Sequence, residues 1–235
     1  MKKGLFALAL GTFTLGMTEF IIEGIITDVA HNMNVSIPEA GHLISIYALG
    51  VCAGAFSLIL MHKYRPKKIL MFLASIITIG AIIASVAPTY WLLLCARFIQ
   101  GLPHGAYFGT ATIVAVNMAK EGKGTKAVAM MCAGMPVANL VGVPIGTFLS
   151  HAFSWRVPFV SCILLGIMTM YMIHRWVPDV AALPNKGMKA QFHFLRSKAP
   201  WLIIAWAMEA SSAGSVISLP CFRWKADSAL PASLC

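Results

Sequence analysis

Seven apolar runs alternate with short polar stretches along this chain: Gly4–Ile26, Gly41–Met61, Ile69–Ala87, Trp91–Val116, Ala127–Ser150, Val157–Trp176 and Trp201–Leu219. Each is near the ~20 residues an α-helix needs to cross ~30 Å of hydrocarbon. None shows the two-residue alternation of a half-buried strand, and runs of this length exclude a sheet. The pattern predicts an all-α polytopic membrane protein with six spanning helices and an incomplete seventh. Three segments follow from it: a six-helix bundle over residues 1–176, a cytoplasmic linker over 177–200, and residues 201–235 with the seventh run and a polar tail. The chain opens with Lys2 and Lys3 before an apolar stretch, in outline a secretory signal. No small-x-small cleavage site follows and the run continues to Ile26, so a retained first helix is expected.

The polar stretches give an orientation. Loop 62–68 carries Lys63, Arg65, Lys67 and Lys68, loop 117–126 carries Lys120, Lys123 and Lys126, and segment 177–200 carries Lys186, Lys189, Arg196 and Lys198. Loops 27–40 and 88–90 carry no Lys or Arg, and loop 151–156 has only Arg156. Basic and bare loops alternate, which places the N-terminus in the cytoplasm. Composition agrees: 59% of the residues are hydrophobic and 11% charged, with mean hydropathy +0.79, far from the quarter charged of a soluble domain. The net charge of +10 does not point to nucleic acid, because the basic residues recur between apolar runs instead of gathering on one face. Cys52, Cys95, Cys132 and Cys162 lie inside apolar runs without metal-ligand spacing and read as small packing residues. In segment 177–200 the second half interleaves Phe192, Phe194 and Leu195 with basic residues; it reads either as a stretch lying on the membrane surface or as a solvated linker.

The first run carries two carboxylates, Glu19 and Glu23, four residues apart and so on one helix face. A charge near the bilayer centre costs about 2.5–3.5 kcal/mol, so it needs a partner, a wet cavity or a proton. Counted from Gly4, Glu19 lies ~22 Å into the membrane and Glu23 ~6 Å beyond it, near the outer interface. Arg97, in the fourth run, lies ~9 Å below the outer face, at the depth of Glu19. A buried Glu19–Arg97 pair is expected, either as a structural ion pair or as part of a proton and substrate path; Glu23 reads equally as an interfacial carboxylate in water. Further along the fourth run, Gly101, Gly105 and Gly109 form a small-residue stripe, Pro103 can kink the helix, and His104 reads as a hydrogen-bonded neighbour. In the fifth run Gly134, Gly142 and Gly146 with Pro136 and Pro144 suggest close packing or a moving element, and Asn139 is a mid-helix polar group expected to face the interior.

These residues resemble the major facilitator superfamily, specifically the drug–proton antiporter branch that includes arabinose- and sugar-efflux permeases. "LMHKYRPKKIL" is similar to the family's loop 2–3 motif, Arg97 with Gly101 to its helix 4 motif, and Gly142, Pro144 and Gly146 to its helix 5 antiporter motif. "TEFIIEG" resembles helix 1 of the branch. The resemblance covers about residues 4–205 and implies the N-terminal six-helix half of the family fold, with helices 1 and 4 lining a central cavity. It implies that Glu19, Glu23, Arg97 and Asn139 lie on the proton and substrate path, with Glu19 the candidate proton carrier. His62, Lys63, Arg65, Lys67 and Lys68 would form the gating loop, and Gly101, Gly105, Gly134, Gly142, Pro144 and Gly146 the packing and moving surfaces. The chain departs from the loop motif at His62, Arg65 and Pro66, which puts the family's cytoplasmic latch in question, and from the helix 5 motif at Val143 and Thr147.

The family has about twelve helices, whereas this chain ends in its seventh run. Glu209 and a Ser/Ala stretch lead to a polar tail unlike a membrane helix. Codons can be chosen for residues 207–219 that give a plausible seventh helix one nucleotide out of register. A frameshifted, truncated product, inactive alone and lacking a C-terminal half, is therefore expected, against a natural short variant. The expected function is proton-coupled efflux of a drug- or sugar-like small molecule across a bacterial cytoplasmic membrane. An uptake symporter of the same fold and a non-transporting half-protein are the alternatives. An enzyme is not expected, since neither H-E-x-x-H nor G-x-S-x-G occurs. No cofactor or metal is expected, and the partners are the small molecule, protons and the bilayer. Cysteine labelling is expected to place loops 62–68 and 117–126 in the cytoplasm and loops 27–40 and 151–156 outside. Labelling of loop 62–68 from the outside would overturn this topology.

Overall fold

An apolar segment in a bilayer must satisfy every backbone amide and carbonyl within itself, and a helix does so. A computed structural model of the protein describes residues 2–55, 57, 61 and 63–180, which lie in one compact unit, Met1–Leu183. His62, residues 181–200 of the expected linker and the whole of 201–235 lie outside the described residues. The first span is α1, Lys2–Met33, and the second is α2, Ile37–Ala55. The third is α3, Pro66–Val86. The fourth is made of α4, Tyr90–Gly101, and α5, Pro103–Met118. The fifth joins α6, Gly124–Cys132, α7, Gly134–Val137, a π turn, Ala138–Gly142, and α8, Val143–Ala152. The sixth is α9, Val157–Trp176.

The helix ends follow from local chemistry. α1 runs to Met33, beyond the Ile26 limit that the apolar pattern suggested. Asp28 does not end it, because Ser150 Oγ donates to Asp28 Oδ2 and His151 Nδ1 stands 3.4 Å from that oxygen. The chain turns at Asn34, whose φ of 53° is left-handed. The amide of Asn34 donates to His31 O (3.4 Å) and that of Val35 to Ala30 O (3.1 Å), which is a Schellman closure with Asn at its left-handed position. Two residues later Ser36 and Glu39 form a capping box: the Ser36 amide donates to Glu39 Oε2 (2.8 Å) and the Glu39 amide to Ser36 Oγ (3.3 Å). Thr89 caps α4 by accepting from the Leu92 amide at 3.4 Å. Pro103 has no amide to donate, so the fourth span breaks at Leu102 into segments of 12 and 16 residues. The other five spans are each long and apolar enough to cross a membrane unbroken, the fifth as Gly124–Ala152.

In the packed bundle α9 lies on α3 and α1, α2 on α4, and α6, α7 and α8 on α1. The core forms two main apolar clusters along α1. One contains Leu8 and Leu15 with Leu70, Tyr107 and Met131. The other contains Ile22, Ile25 and Val29 with Leu43, Leu93 and Phe159. Buried Thr18, Arg97 and Gln100 occupy the level between them. At one end of the bundle, loop 2–3 is tied to the end of α9: Arg65 pairs with Asp179 at 2.7 Å, and Lys67 Nζ donates to the His174 carbonyl at 2.9 Å. The second contact suits a cation at a helix C-terminus. At the other end, Arg156 Nη2 donates to Ala87 O at 3.0 Å and its guanidinium lies 4.3 Å from the Trp155 ring centroid. That accounts for a lone arginine in an otherwise bare loop.

The glycines set how closely helices approach. A Cβ on Gly54 would collide with the Leu102 backbone and one on Gly101 with the Tyr47 carbonyl, so α2 and α4 touch backbone to backbone. Gly134 meets α1 in the same way, at Ala9 O and Phe13 N, while Gly142 and Gly146 receive the side chains of Met17 and Ile21. For Gly105, among the described residues, the nearest neighbour of an added Cβ would be Ala55 Cα at 4.0 Å. Gly54→Ala is expected to destabilise the protein in detergent by ~1–3 kcal/mol, the usual cost of overpacking. Gly41→Ala, in the same helix with nothing within 4 Å, is expected to be neutral or slightly stabilising. Equal effects in thermal unfolding would contradict the backbone contact between α2 and α4.

Candidate functional site

The site is built on Arg97, which is fully buried. A guanidinium has five donors, no acceptor, and stays charged, so a buried one must find oxygen. Its Nε donates to the Leu43 carbonyl of α2 at 3.3 Å. Nη1 donates to the Thr18 carbonyl of α1 and, at 3.1 Å, to Gln100 Oε1 one turn along α4. Nη2 donates to the Glu19 carbonyl at 3.3 Å. The Tyr47 ring covers the group, with its centroid 4.4 Å from Cζ, a cation–π distance. One side chain thus holds α1, α2 and α4 together, using the second lone pairs of carbonyls already engaged in helices.

Glu19 and Arg97, expected within direct or one-water reach of each other, do not form the direct ion pair among the described residues. The two residues do meet at one level, on adjacent helices, but the guanidinium takes the backbone carbonyl of Glu19 and forms no ion pair with its carboxylate among the described residues. The physical reason is that carbonyls solvate a buried cation without requiring a second charge to be desolvated beside it. The Glu19 carboxylate turns to His104 instead: Oε2 stands 3.8 Å from Nδ1, beyond hydrogen-bond length. That oxygen is itself buried and has no hydrogen-bond partner, although the Glu19 side chain as a whole is 29% exposed. His104 Nδ1 lies 3.0 Å from the Tyr47 hydroxyl. Its ring meets Tyr47 edge-on at 6.2 Å between centroids and Phe108 at 5.4 Å.

Glu19, Arg97, Tyr47, Gln100 and His104 therefore form one cluster on the first, second and fourth spans. The Gln100 amide nitrogen, also buried, lacks a partner. Glu23, one turn beyond Glu19, is exposed. Asn139, expected to face the interior, lies in the π turn with an exposed side chain and is not part of the cluster. Pro144 sits in the first turn of α8, directly after the π turn, where it has no amide to donate to the preceding turn. Of the expected gating loop, Arg65 and Lys67 make the contacts with Asp179 and His174 described above, Lys63 and Lys68 are exposed, and His62 lies outside the described residues. Tyr47, Gln100 and the carbonyls of Thr18 and Leu43 were not singled out from the sequence. For Gln100 a signal existed, since it is three residues from Arg97 on the same helix face. Among the described residues no three His, Cys, Asp or Glu side chains stand close enough to hold a metal ion.

The cluster pairs a fixed cation with a carboxylate that is close but not bonded to it, and adds an imidazole within reach of a small shift. Comparisons with known proteins agree with a transporter. AraJ of Escherichia coli, a transporter by name, is 48% identical over 209 residues, covering 88% of this chain and 53% of AraJ. YdhP, an inner membrane transport protein of Escherichia coli, is 36% identical over 217 residues, 92% of this chain and 55% of YdhP. A protein of Helicobacter acinonychis named "Probable sugar efflux transporter" is 25% identical over 183 residues, 77% of this chain and 46% of that protein. The chain spans about half the length of the curated relatives it matches. Among solved structures, the fold is similar to that of the proton:xylose symporter XylE bound to 6-bromo-6-deoxy-D-glucose, with TM-score 0.67 at 14% identity over 75% of this chain and 44% of XylE. The Major Facilitator Superfamily profile matches residues 8–228, and the chain belongs to that superfamily of membrane transporters.

Proposed function

We propose that the activity to which this chain contributes is proton-coupled efflux of a small drug- or sugar-like molecule across a bacterial cytoplasmic membrane, with the N-terminus in the cytoplasm. The observation that carries the proposal is the Glu19 carboxylate, which has a buried oxygen without a hydrogen-bond partner beside an arginine whose donors go to backbone carbonyls. A carboxylate locked in a bidentate pair stays ionised, and one left free can take up and release a proton. With Glu19 ionised, its charge balances that of Arg97. Protonation leaves the cluster with a net positive charge and gives Glu19 an O–H donor that His104 Nδ1 or Tyr47 Oη could accept.

Substrate and proton would be linked through that charge. A molecule that binds better to one protonation state shifts the equilibrium by its difference in affinity and no more. Residues on adjacent spans respond to the same event, because Arg97 connects α1 with α2 and α4, and glycine contacts bring their backbones together. Efflux, rather than uptake, is favoured by the Gly142, Pro144, Gly146 pattern and by the name of the Helicobacter relative. The fold alone is neutral, since symporters share it.

The test uses a chimera in which residues 1–200 are continued by the C-terminal half of AraJ, reconstituted in proteoliposomes under an imposed pH gradient. Glu19→Gln is expected to abolish gradient-driven efflux while the protein still inserts and folds, since the amide keeps the shape but cannot carry a proton. Glu23→Gln is expected to do less, because Glu23 is exposed. Efflux by Glu19→Gln at the original rate with the same pH dependence would exclude Glu19 as the carrier.

A further inference from the structure

Two oxygens converge on one nitrogen of His104. Tyr47 Oη, from α2, stands 3.0 Å from Nδ1, and Glu19 Oε2, from α1, stands 3.8 Å from the same atom. A ring nitrogen has one hydrogen-bonding position, filled by its own proton or by a donor from outside. Nδ1 therefore serves one oxygen at a time, and at 3.0 Å it is Tyr47 that holds it. The faces of the ring are walled: Tyr47 meets it edge-on, and Phe108, one turn along α5, lies at 5.4 Å between centroids.

His104 also sits at a joint. It is the second residue of α5, directly after the break at Leu102, and Pro103 gives no amide to the turn before it. On the near side of the break Gly101 lies against the Tyr47 carbonyl, where an added Cβ would collide, so α4 and the Tyr47 backbone are held together. The imidazole is carried by the far side. Closing its 3.8 Å gap to Glu19 to the ~2.8 Å of a charge-assisted bond asks little of a helix already interrupted there. The charges around the ring are few. Of the helices packed on α5, α1 brings Glu19 and, one turn beyond, Glu23, α2 brings Tyr47, and α4 brings Arg97. The charged residues of α3 and α6 are Lys67, Lys68 and Lys126, all in first turns. The other charged residues and histidines of α1 and α2 lie towards the helix ends.

We propose that His104 is the residue with which Glu19 shares its proton, through an exchange of partners at Nδ1. With Nδ1 bare, the Tyr47 hydroxyl donates to it and the Glu19 carboxylate stands apart. When one proton enters the pair it lies between Nδ1 and Oε2, as imidazolium with carboxylate or as imidazole with carboxylic acid. Both arrangements have the same net charge, and no bond other than that to the proton is made. The phenol keeps its own proton and turns away from Nδ1 by rotation about Cζ–Oη. Protonation thus draws the start of α5 towards α1 and releases it from α2 at the level of the break. His104 is a positioning residue in this account, acting through Glu19. The inference rests on the reading of Glu19 as proton carrier, but partner exchange is measured without transport, so the two fail separately.

The test uses the 235-residue chain in lipid bilayers, with nitrogen-15 in the histidine rings and carbon-13 at glutamate Cδ or tyrosine Cζ. Solid-state NMR follows it from about pH 4 to about pH 9, a range that spans carboxylate and imidazole titration. The His104 signal is the one lost in His104→Gln. At the upper end Nδ1 is expected to be unprotonated and coupled to Tyr47 Cζ. At the lower end it is expected to carry a proton and lose coupling to Cζ. Its coupling to Glu19 Cδ is expected to rise roughly twofold, as the inverse cube of distance gives for closure to ~2.8 Å. Tyr47→Phe keeps the ring over Arg97 and removes the rival hydroxyl, so Nδ1 is expected to hold a proton towards Oε2, with strong coupling to Glu19 Cδ at both ends. A histidine that merely bonds Tyr47 would keep its Cζ coupling across the whole range. That result, or an exchange unchanged in Tyr47→Phe, would overturn the proposal. Should Tyr47→Phe fail to fold by circular dichroism, the titration of the unmodified chain decides alone. Partner exchange together with undiminished efflux by Glu19→Gln would sustain the exchange and remove Glu19 as the carrier.

Discussion

A permanent positive charge sealed among six hydrophobic helices has to be solvated by the protein itself, and the bundle is arranged around that requirement. Arg97 meets it with backbone oxygen from Thr18, Glu19 and Leu43 and an amide oxygen from Gln100, under the face of Tyr47. Each acceptor is a dipole that needs no counter-charge and little reorganisation. The consequence is geometric: the rotation of α1 and the height of α2 are fixed where their carbonyls meet one planar fork.

That geometry requires close backbones. Arg97 reaches the Leu43 carbonyl because α2 and α4 lie against each other at Gly50, Gly54 and Gly101, where added Cβ atoms would strike backbone. On the other side of α1, Gly134, Gly142 and Gly146 admit the fifth span, whose ladder is loosened by a π turn at Ala138–Gly142 and by Pro144. The first span is therefore gripped on one face by a charge-centred network and on another by small-residue packing beside an irregular helix. Glu19 lies on the first of these faces.

The architecture was legible in the sequence because apolar run length decides helix count, and the first six of the seven runs appear as six spans. Helix ends were less so. The end of α1 was misplaced by seven residues, since Asp28 and His31 read as loop residues while in the fold Asp28 is held by Ser150 and the stop comes from the left-handed Asn34. The Ser36–Glu39 capping box, by contrast, has a spacing that sequence alone displays. At the site, charge and depth brought Glu19 and Arg97 to the same level, yet not to the right contact. Sequence patterns show side chains, and the partners of Arg97 are mostly main-chain atoms, which every residue carries and no pattern marks. For the same reason His104 received little weight: its neighbours Tyr47 and Glu19 come from other spans, and only the fold brings them within reach.

The central claim is that the guanidinium of Arg97 is bound by carbonyls and leaves the Glu19 carboxylate free. Solid-state NMR in lipid bilayers tests it, with Arg97 labelled with nitrogen-15 in its guanidinium and carbon-13 placed either at the carbonyls of Glu19 and Leu43 or at Cδ of Glu19. The account predicts strong dipolar coupling to both carbonyls, corresponding to the 3.3 Å nitrogen–oxygen distances, and distinctly weaker coupling to Cδ. Strong coupling to Cδ with the carbonyl couplings lost would mean that the two side chains form a closed ion pair, and would contradict the account.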